Sequence, residues 1–127
     1  VPILKSHGSA KLTIAMKNLM GIVWDRMYWH RNDLHQCIAD FSTWRQPDLN
    51  IIDAYRVMMK NGPRGRSKAD VAKMKFLVMS DDMVAADAAA TKIFGMQPQA
   101  VNYIQHAHNM QIGNMNLKDQ NIGRIKM

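Results

Sequence analysis

The sequence predicts an α/β domain in layers, with a small, largely parallel sheet flanked by helices. Three observations carry that prediction. Short apolar segments at 1–5, 49–53 and 75–80 alternate with stretches of helical periodicity, the order that builds strand–helix–strand units. Segment 75–80 is nearly continuous in apolar residues, as buried parallel strands are. The first two segments run directly into polar groups, Lys5 and His7 in one and Asp53 in the other. Open α/β sheets gather ligands at the carboxyl ends of their strands.

Taken in order, residues 1–5 read as the first strand. Gly8 and Ser9 supply a turn and an N-cap. From Lys11 the apolar positions Leu12, Ala15, Met16, Leu19, Met20 and Val23 recur at helical spacing, with Gly21 as the stop. Residues 24–31 are aromatic and mixed and carry no assignable pattern. Asn32 is placed to cap a second helix, with Asp33 in its first turn. Leu34, Cys37, Ile38, Phe41 and Trp44 form the apolar face of that helix, and Pro47 ends it. Gln36 and Asp40, four residues apart off that face, can pair.

Residues 49–53 read as a second strand, 61–67 as a loop by composition, and 75–80 as a third strand. Asp81 caps an alanine-rich helix over 82–94, closed by Gly95, and alanine lets such a helix lie close to a sheet. Pro98 suits the first turn of a further helix reaching about residue 109. Gly113 begins an irregular tail, and 122–127 reads as a last strand.

Composition bounds the function. The 127 residues suit one domain, and 47% hydrophobic with 21% charged residues is an ordinary globular balance. No apolar run approaches the roughly 18 residues a membrane span needs. A start at Val1 and a low strand count predict an excised part of a longer chain. The sheet is then completed by the missing part or by another copy, and an exposed strand edge favours a homo-oligomer. Cys37 is the single cysteine, which excludes an internal disulfide and any all-cysteine iron–sulfur or zinc site. Its place on an apolar face marks a core thiol rather than a nucleophile, and the twelve methionines read as core filler. There is no Gly-x-Ser-x-Gly elbow. A formal charge of +7 favours anionic partners: nucleic acid, phosphate or carboxylate ligands, or an acidic protein.

Several constellations can carry chemistry. Lys5, His7, Lys17 and Asn18 can converge from a strand end and the following helix. Lysine donates to anions, and neutral histidine ligates metal or moves protons. A solvated turn and helix face is the plainer account of the same residues. His30, His35, Asp40 and Asp53 contain two histidines and carboxylates but lack the tight spacing of His-Glu-x-x-His. The loop Gly62-Pro-Arg64-Gly-Arg66 offers a flexible backbone and arginines for an anion, and equally suits a basic surface loop. Asp87 sits among alanines on a helix that should be buried, where a carboxylate needs a partner or a function. His106 and His108 face different directions on one helix. Trp24, Tyr28 and Trp29 beside Arg26 and Arg31 are a thin version of a nucleic-acid surface, and read better as core.

At these residues the chain resembles the bacterial and archaeal family known as domain of unknown function 362. The matching segments are Val1-Pro-Ile-Leu-Lys-Ser-His7, 13–21 with its Lys-Asn-Leu-x-Gly run, 34–40, 49–53, Gly62-Pro63 and 80–87. The resemblance covers most of the chain to about Pro98 and identifies a fragment from the family's carboxy-terminal half. It implies an α/β domain whose polar motifs gather at one cleft, and it carries over Lys5, His7, Lys17, Asn18, His35, Asp53 and Asp87 as site residues. The family often joins this domain to ferredoxin-like cysteine clusters, and many members look exported. Here no such cluster is present, so any iron–sulfur role belongs elsewhere in a parent chain, and both bacterial cytoplasm and export stay open.

The leading expectation is therefore a small-ligand or metal-binding module of a redox-associated protein. His7, Lys17 and Asp87 are the candidate catalytic groups for an acid–base or metal-assisted step. Lys5, Asn18 and Arg64 bind a small anionic ligand. His7, His35 and Asp53 form a set for a divalent metal. The alternatives are a non-catalytic domain docking an iron–sulfur or acidic partner through a basic surface, and nonspecific nucleic-acid binding.

Overall fold

A computed structural model describes residues 1–125. Strand β1 (Ile3–His7) turns at Gly8 and Ser9 into a short strand β2 (Lys11–Thr13), and helix α1 (Ala15–Asn18) follows, continued by a 3-10 turn over Leu19–Ile22. Helix α2 (Arg26–Arg31) and helix α3 (Leu34–Trp44) precede strand β3 (Asn50–Met58). A loop over 59–70 leads into strand β4 (Val71–Ser80), then helix α4 (Met83–Ile93), a 3-10 turn at Pro98–Ala100 and helix α5 (Asn102–Asn109).

The class predicted from the sequence holds, but the sheet is mixed. Its order is β2-β1-β3-β4. Only β1 and β3 run parallel, while β1–β2 and β3–β4 are antiparallel. Both departures come from chain reversals without a helix crossover. Residues 11–13 continue the turn at Gly8 into a hairpin instead of starting a helix, with Lys5 opposite Thr13. The 59–70 loop folds β4 back along β3. A helix crossover, which parallel neighbours require, exists only between β1 and β3.

Local chemistry explains the element boundaries. Asp33, not Asn32, caps α3 by accepting the N–H groups of His35 and Gln36, and Gln36 reaches Asp40 at 2.8 Å. Asp25 caps α2 through Tyr28 N–H, giving structure to a segment without a sequence pattern. Asp82, not Asp81, caps α4 through Val84 and Ala85. Gly95 takes φ +91° just past the helix end, where a left-handed residue closes it. Residues 122–125 of the expected last strand are irregular, and 126–127 lie outside the described residues.

One core lies between the sheet and the helices. Leu4, Leu12, Ile52, Ala54 and Val57 from the strands meet Met16, Ile38, Val84 and Ile104 from the helices. Alternate residues of β3 point the other way, so the opposite sheet face stays open. Burial there is partial for Ile51 and Met58 and slight for Ile3, Leu77 and Met79.

Candidate functional site

The carboxyl end of β1 gathers four basic side chains. Lys5 and His7 come from the strand, Lys17 from α1 and His30 from the last turn of α2. The His7 and His30 rings stack with centroids 6.1 Å apart. His7 Nδ1 accepts the backbone N–H of Ala10 at 3.1 Å. The neutral ring therefore carries its proton on Nε2 and presents a donor to solvent. Burial, together with the charges of Lys17, His30 and Lys5, pushes the His7 pKa down to about 4. Lys17 is a buried residue, 8% exposed. Burial, and then Lys5, lowers its pKa, with no carboxylate opposing the shift. Thr13, opposite Lys5 in the hairpin, has a buried Oγ1 with no hydrogen-bond partner among the described residues. Asn18, at the end of α1, is exposed.

Asp87 holds this arrangement from below. It is fully buried in α4, and its two carboxylate oxygens accept the N–H groups of Ala15 at 2.8 Å and Met16 at 3.1 Å. Ile14, at the N-cap of α1, has no side-chain oxygen to do this. Burial pushes the Asp87 pKa up to about 7 against those two hydrogen bonds, with Asp82 adding to the rise. The partner that a carboxylate among alanines requires is thus the start of α1. Asp87 has no exposed surface and cannot itself touch a substrate.

The expected metal set does not assemble. His35 Nδ1 accepts Tyr103 N–H at 3.2 Å, and its ring stacks on Tyr103. Its lone pair, like that of His7, is already taken. Burial lowers the His35 pKa, while the Ser9 carbonyl and Asp33 act in the opposite direction. Asp53 sits beside Ile3 in the sheet, four residues from the level of His7, roughly 13 Å along the strand. Its Oδ1 accepts Tyr55 N–H at 2.8 Å. Among the described residues no three His, Cys, Asp or Glu side chains are grouped to hold a metal.

Arg64 is exposed on a loop that is itself firmly seated. Gly62 N–H donates to Ser6 Oγ at 3.0 Å. Asp70 accepts from Arg66 N–H, Ser67 N–H and the Asn61 amide at 2.6, 3.0 and 2.7 Å. Those bonds, the Arg66 N–H first, hold the Asp70 carboxyl well below the usual carboxylate range. A Cβ on Gly62 would lie 1.8 Å from the Ser6 carbonyl oxygen, so this close approach requires glycine. Arg64 does not converge with the lysines.

The model of the family described as "Domain of unknown function (DUF362)" matches residues 1–92. The chain belongs to this family. The matched DUF362 region runs from β1 into the last turn of α4 and spans the site from Lys5 to Asp87. The chain is also similar to the thylakoid-associated protein sll1697 of Synechocystis sp. (strain ATCC 27184 / PCC 6803 / Kazusa), 29% identical over 109 residues, which is 80% of this chain and 33% of that protein. This DUF362 chain thus spans about a third of the length of that curated relative. No solved structure matches it. Among the described residues no helix is long and apolar enough to cross a membrane.

Two features escape sequence reading. His30 joins the cluster because α2 folds back over His7, and α2 has no periodicity to announce it. The aromatic residues expected in the core divide: Trp29 is buried, whereas Trp24 is wholly exposed and Tyr28 largely so. Cys37 packs partly against the core, and burial, first among its causes, pushes its thiol up, as suits a residue that is not a nucleophile.

Proposed function

We propose that this DUF362 domain binds a small anion, a carboxylate or phosphate group, at the carboxyl end of β1. Lys5 and Lys17 supply the charge, His7 donates through Nε2–H, and Asn18 orients the ligand from the end of α1. Asp87 is a positioning residue that fixes the first turn of α1 and so the place of Lys17.

The observation that supports this reading is the buried Lys17 beside Lys5 and His7, where no carboxylate raises the pKa of either Lys17 or His7. The Lys17 stem is buried while its ammonium reaches the surface beside Lys5 and His7, and cations gathered without a counter-charge favour an anion that completes them. Ammonium groups and a ring N–H together suit phosphate or carboxylate oxygens. The metal version lacks such support, since both histidine lone pairs are engaged with backbone N–H groups.

The test is titration with inorganic phosphate, and separately acetate, followed by the histidine ring signals in NMR and by calorimetry. Saturable binding that shifts His7 and weakens at least roughly tenfold in Lys17→Met supports the reading. Equal binding by wild type and the folded variant sinks it.

A further inference from the structure

The open face of the sheet carries a second, separate feature. Val71, Lys73, Leu77 and Met79 of β4 lie on it beside Arg56 and Met58 of β3 and Lys5 of β1. Ile3, Leu77 and Met79 are 52%, 58% and 60% exposed. At the end of the sheet nearer the 59–70 loop, Pro63 and Lys68 wall a groove of about 540 Å³. Its floor is apolar, made by Ile3, Met58 and Val71, and its other walls carry Lys5, Arg56 and Lys73. Four cations thus surround an apolar floor, and no aspartate or glutamate lines the groove. The Lys73 ammonium lies 5.4 Å from the Tyr55 ring centroid, so an aromatic face braces one of the four.

A sheet face with this much exposed apolar surface needs a further layer to bury it. The charges decide which layer. A second copy of this chain in two-fold contact would set one group of cations against another, in a chain that already carries +7. A covering element with acidic flanks meets the opposite condition on both counts. We propose that this groove docks an amphipathic helix of another polypeptide. Its apolar stripe covers Ile3, Met58 and Val71, and its flanking Asp or Glu side chains pair with Lys5, Arg56, Lys68 and Lys73. The proposal stands on the sheet face rather than on the anion site, with which it shares only Lys5.

The experiment uses two fluorescein-labelled helical peptides of about 18 residues, long enough to hold a helix on a surface. Both carry one leucine stripe, flanked by glutamate in one and by lysine in the other. Fluorescence anisotropy should show the acidic peptide binding, more weakly as salt rises, and the basic peptide failing to bind. The Arg56→Glu, Lys73→Glu double variant, checked for its fold by circular dichroism, should lose at least roughly tenfold in affinity. Lys17→Met should bind the acidic peptide as wild type does, which keeps this result independent of the anion site.

Absence of binding, equal binding of both peptides, or an unchanged double variant overturns the proposal. Sedimentation decides between occupants: a dimer that Leu77→Asp dissociates puts a second copy on the face and also overturns it. Flotation with phosphatidylglycerol vesicles that excess acidic peptide does not displace overturns it in favour of a lipid surface.

Discussion

The Asp87 carboxylate accepts the backbone N–H of Ala15 at 2.8 Å, joining α4 to the first turn of α1 across 72 residues of sequence. The group is fully buried, and its pKa rises from 3.8 to about 7. The folded state then binds this proton more tightly than the unfolded chain. The Asp87 contribution to stability is full below about pH 4 and is lost as pH rises towards 7, by up to about 4 kcal/mol. The protonated carboxyl still accepts through its hydroxyl oxygen, whereas Asp87→Asn sets an NH2 donor against one of the two N–H groups, so it should be less stable than wild type at pH 4 by about 1–3 kcal/mol. The gap between the two proteins should narrow as pH climbs to 7. Urea unfolding of both proteins at several pH values measures this. A constant gap would mean that the carboxylate stays ionised throughout.

Replacing Lys17 separates function from stability. The side chain is buried beside Lys5 with no carboxylate opposing its lowered pKa. Lys17→Met keeps the packed stem and removes the charge. The melting temperature should rise slightly, because removing the charge relieves its repulsion with Lys5. Phosphate binding should weaken by roughly tenfold or more. A lower melting temperature with unchanged binding would show that Lys17 is held by packing alone and recruits no anion.

How much of this was legible in the sequence depended on whether a residue's partner was local. β1, β3, β4, α3 and α4 follow from apolar spacing and caps, and their errors are a two-residue shift of β1 from 1–5 to Ile3–His7, shifts of one residue at Asp33 and Asp82, and extra length in β3 and β4. Residues 11–13 satisfy helical spacing through Leu12 and Ala15, yet pair with β1 because the turn before them is short enough for a hairpin. Lys5, His7 and Lys17 were readable as neighbours because a single turn and one hairpin connect them. The roles of Asp87 and His35 were not. Their partners, Ala15 and Tyr103, lie 72 and 68 residues away and are backbone N–H groups that no side-chain motif records. The methionines divide for the same reason: Met16, Met20 and Met83 fill the core, while Met79 falls on the open sheet face that helps set the groove apart.

Gly62 tests whether the basic loop is fixed against β1. A methyl group there would meet the Ser6 carbonyl at 1.8 Å, and the same Ser6 accepts Gly62 N–H through its hydroxyl. The carbonyl is backbone and cannot swing aside as a side-chain end could. Gly62→Ala should lower stability by about 2 kcal/mol and release the loop, raising proteolysis between residues 61 and 67. Because Pro63 and Lys68 wall the groove, the acidic peptide should also bind more weakly, while phosphate binding is preserved. Wild-type stability in Gly62→Ala would mean that the loop does not rest on Ser6 in solution.

The two histidines with occupied lone pairs should behave differently towards an anion. His7 has a pKa near 4, below the ordinary value of 6.5, from burial and three neighbouring cations. The unfolded chain binds that proton more readily. The stability His7 contributes is therefore complete above about pH 6.5 and is lost as pH falls through 4. Phosphate brings the negative charge that the cluster lacks, so it should raise the His7 pKa, and tighter binding should raise it further. His35 accepts Tyr103 N–H beyond this cluster, and its titration should scarcely move. His35→Ala would orphan that N–H and should lower stability by about 1–3 kcal/mol without changing phosphate affinity. Nitrogen-15 spectra of the rings across pH, with and without phosphate, read all of this at once. A neutral His7 ring that carries its proton on Nδ1 would remove the donor on which the anion site depends, and one that titrates near 6.5 would show that the neighbouring cations do not act on it.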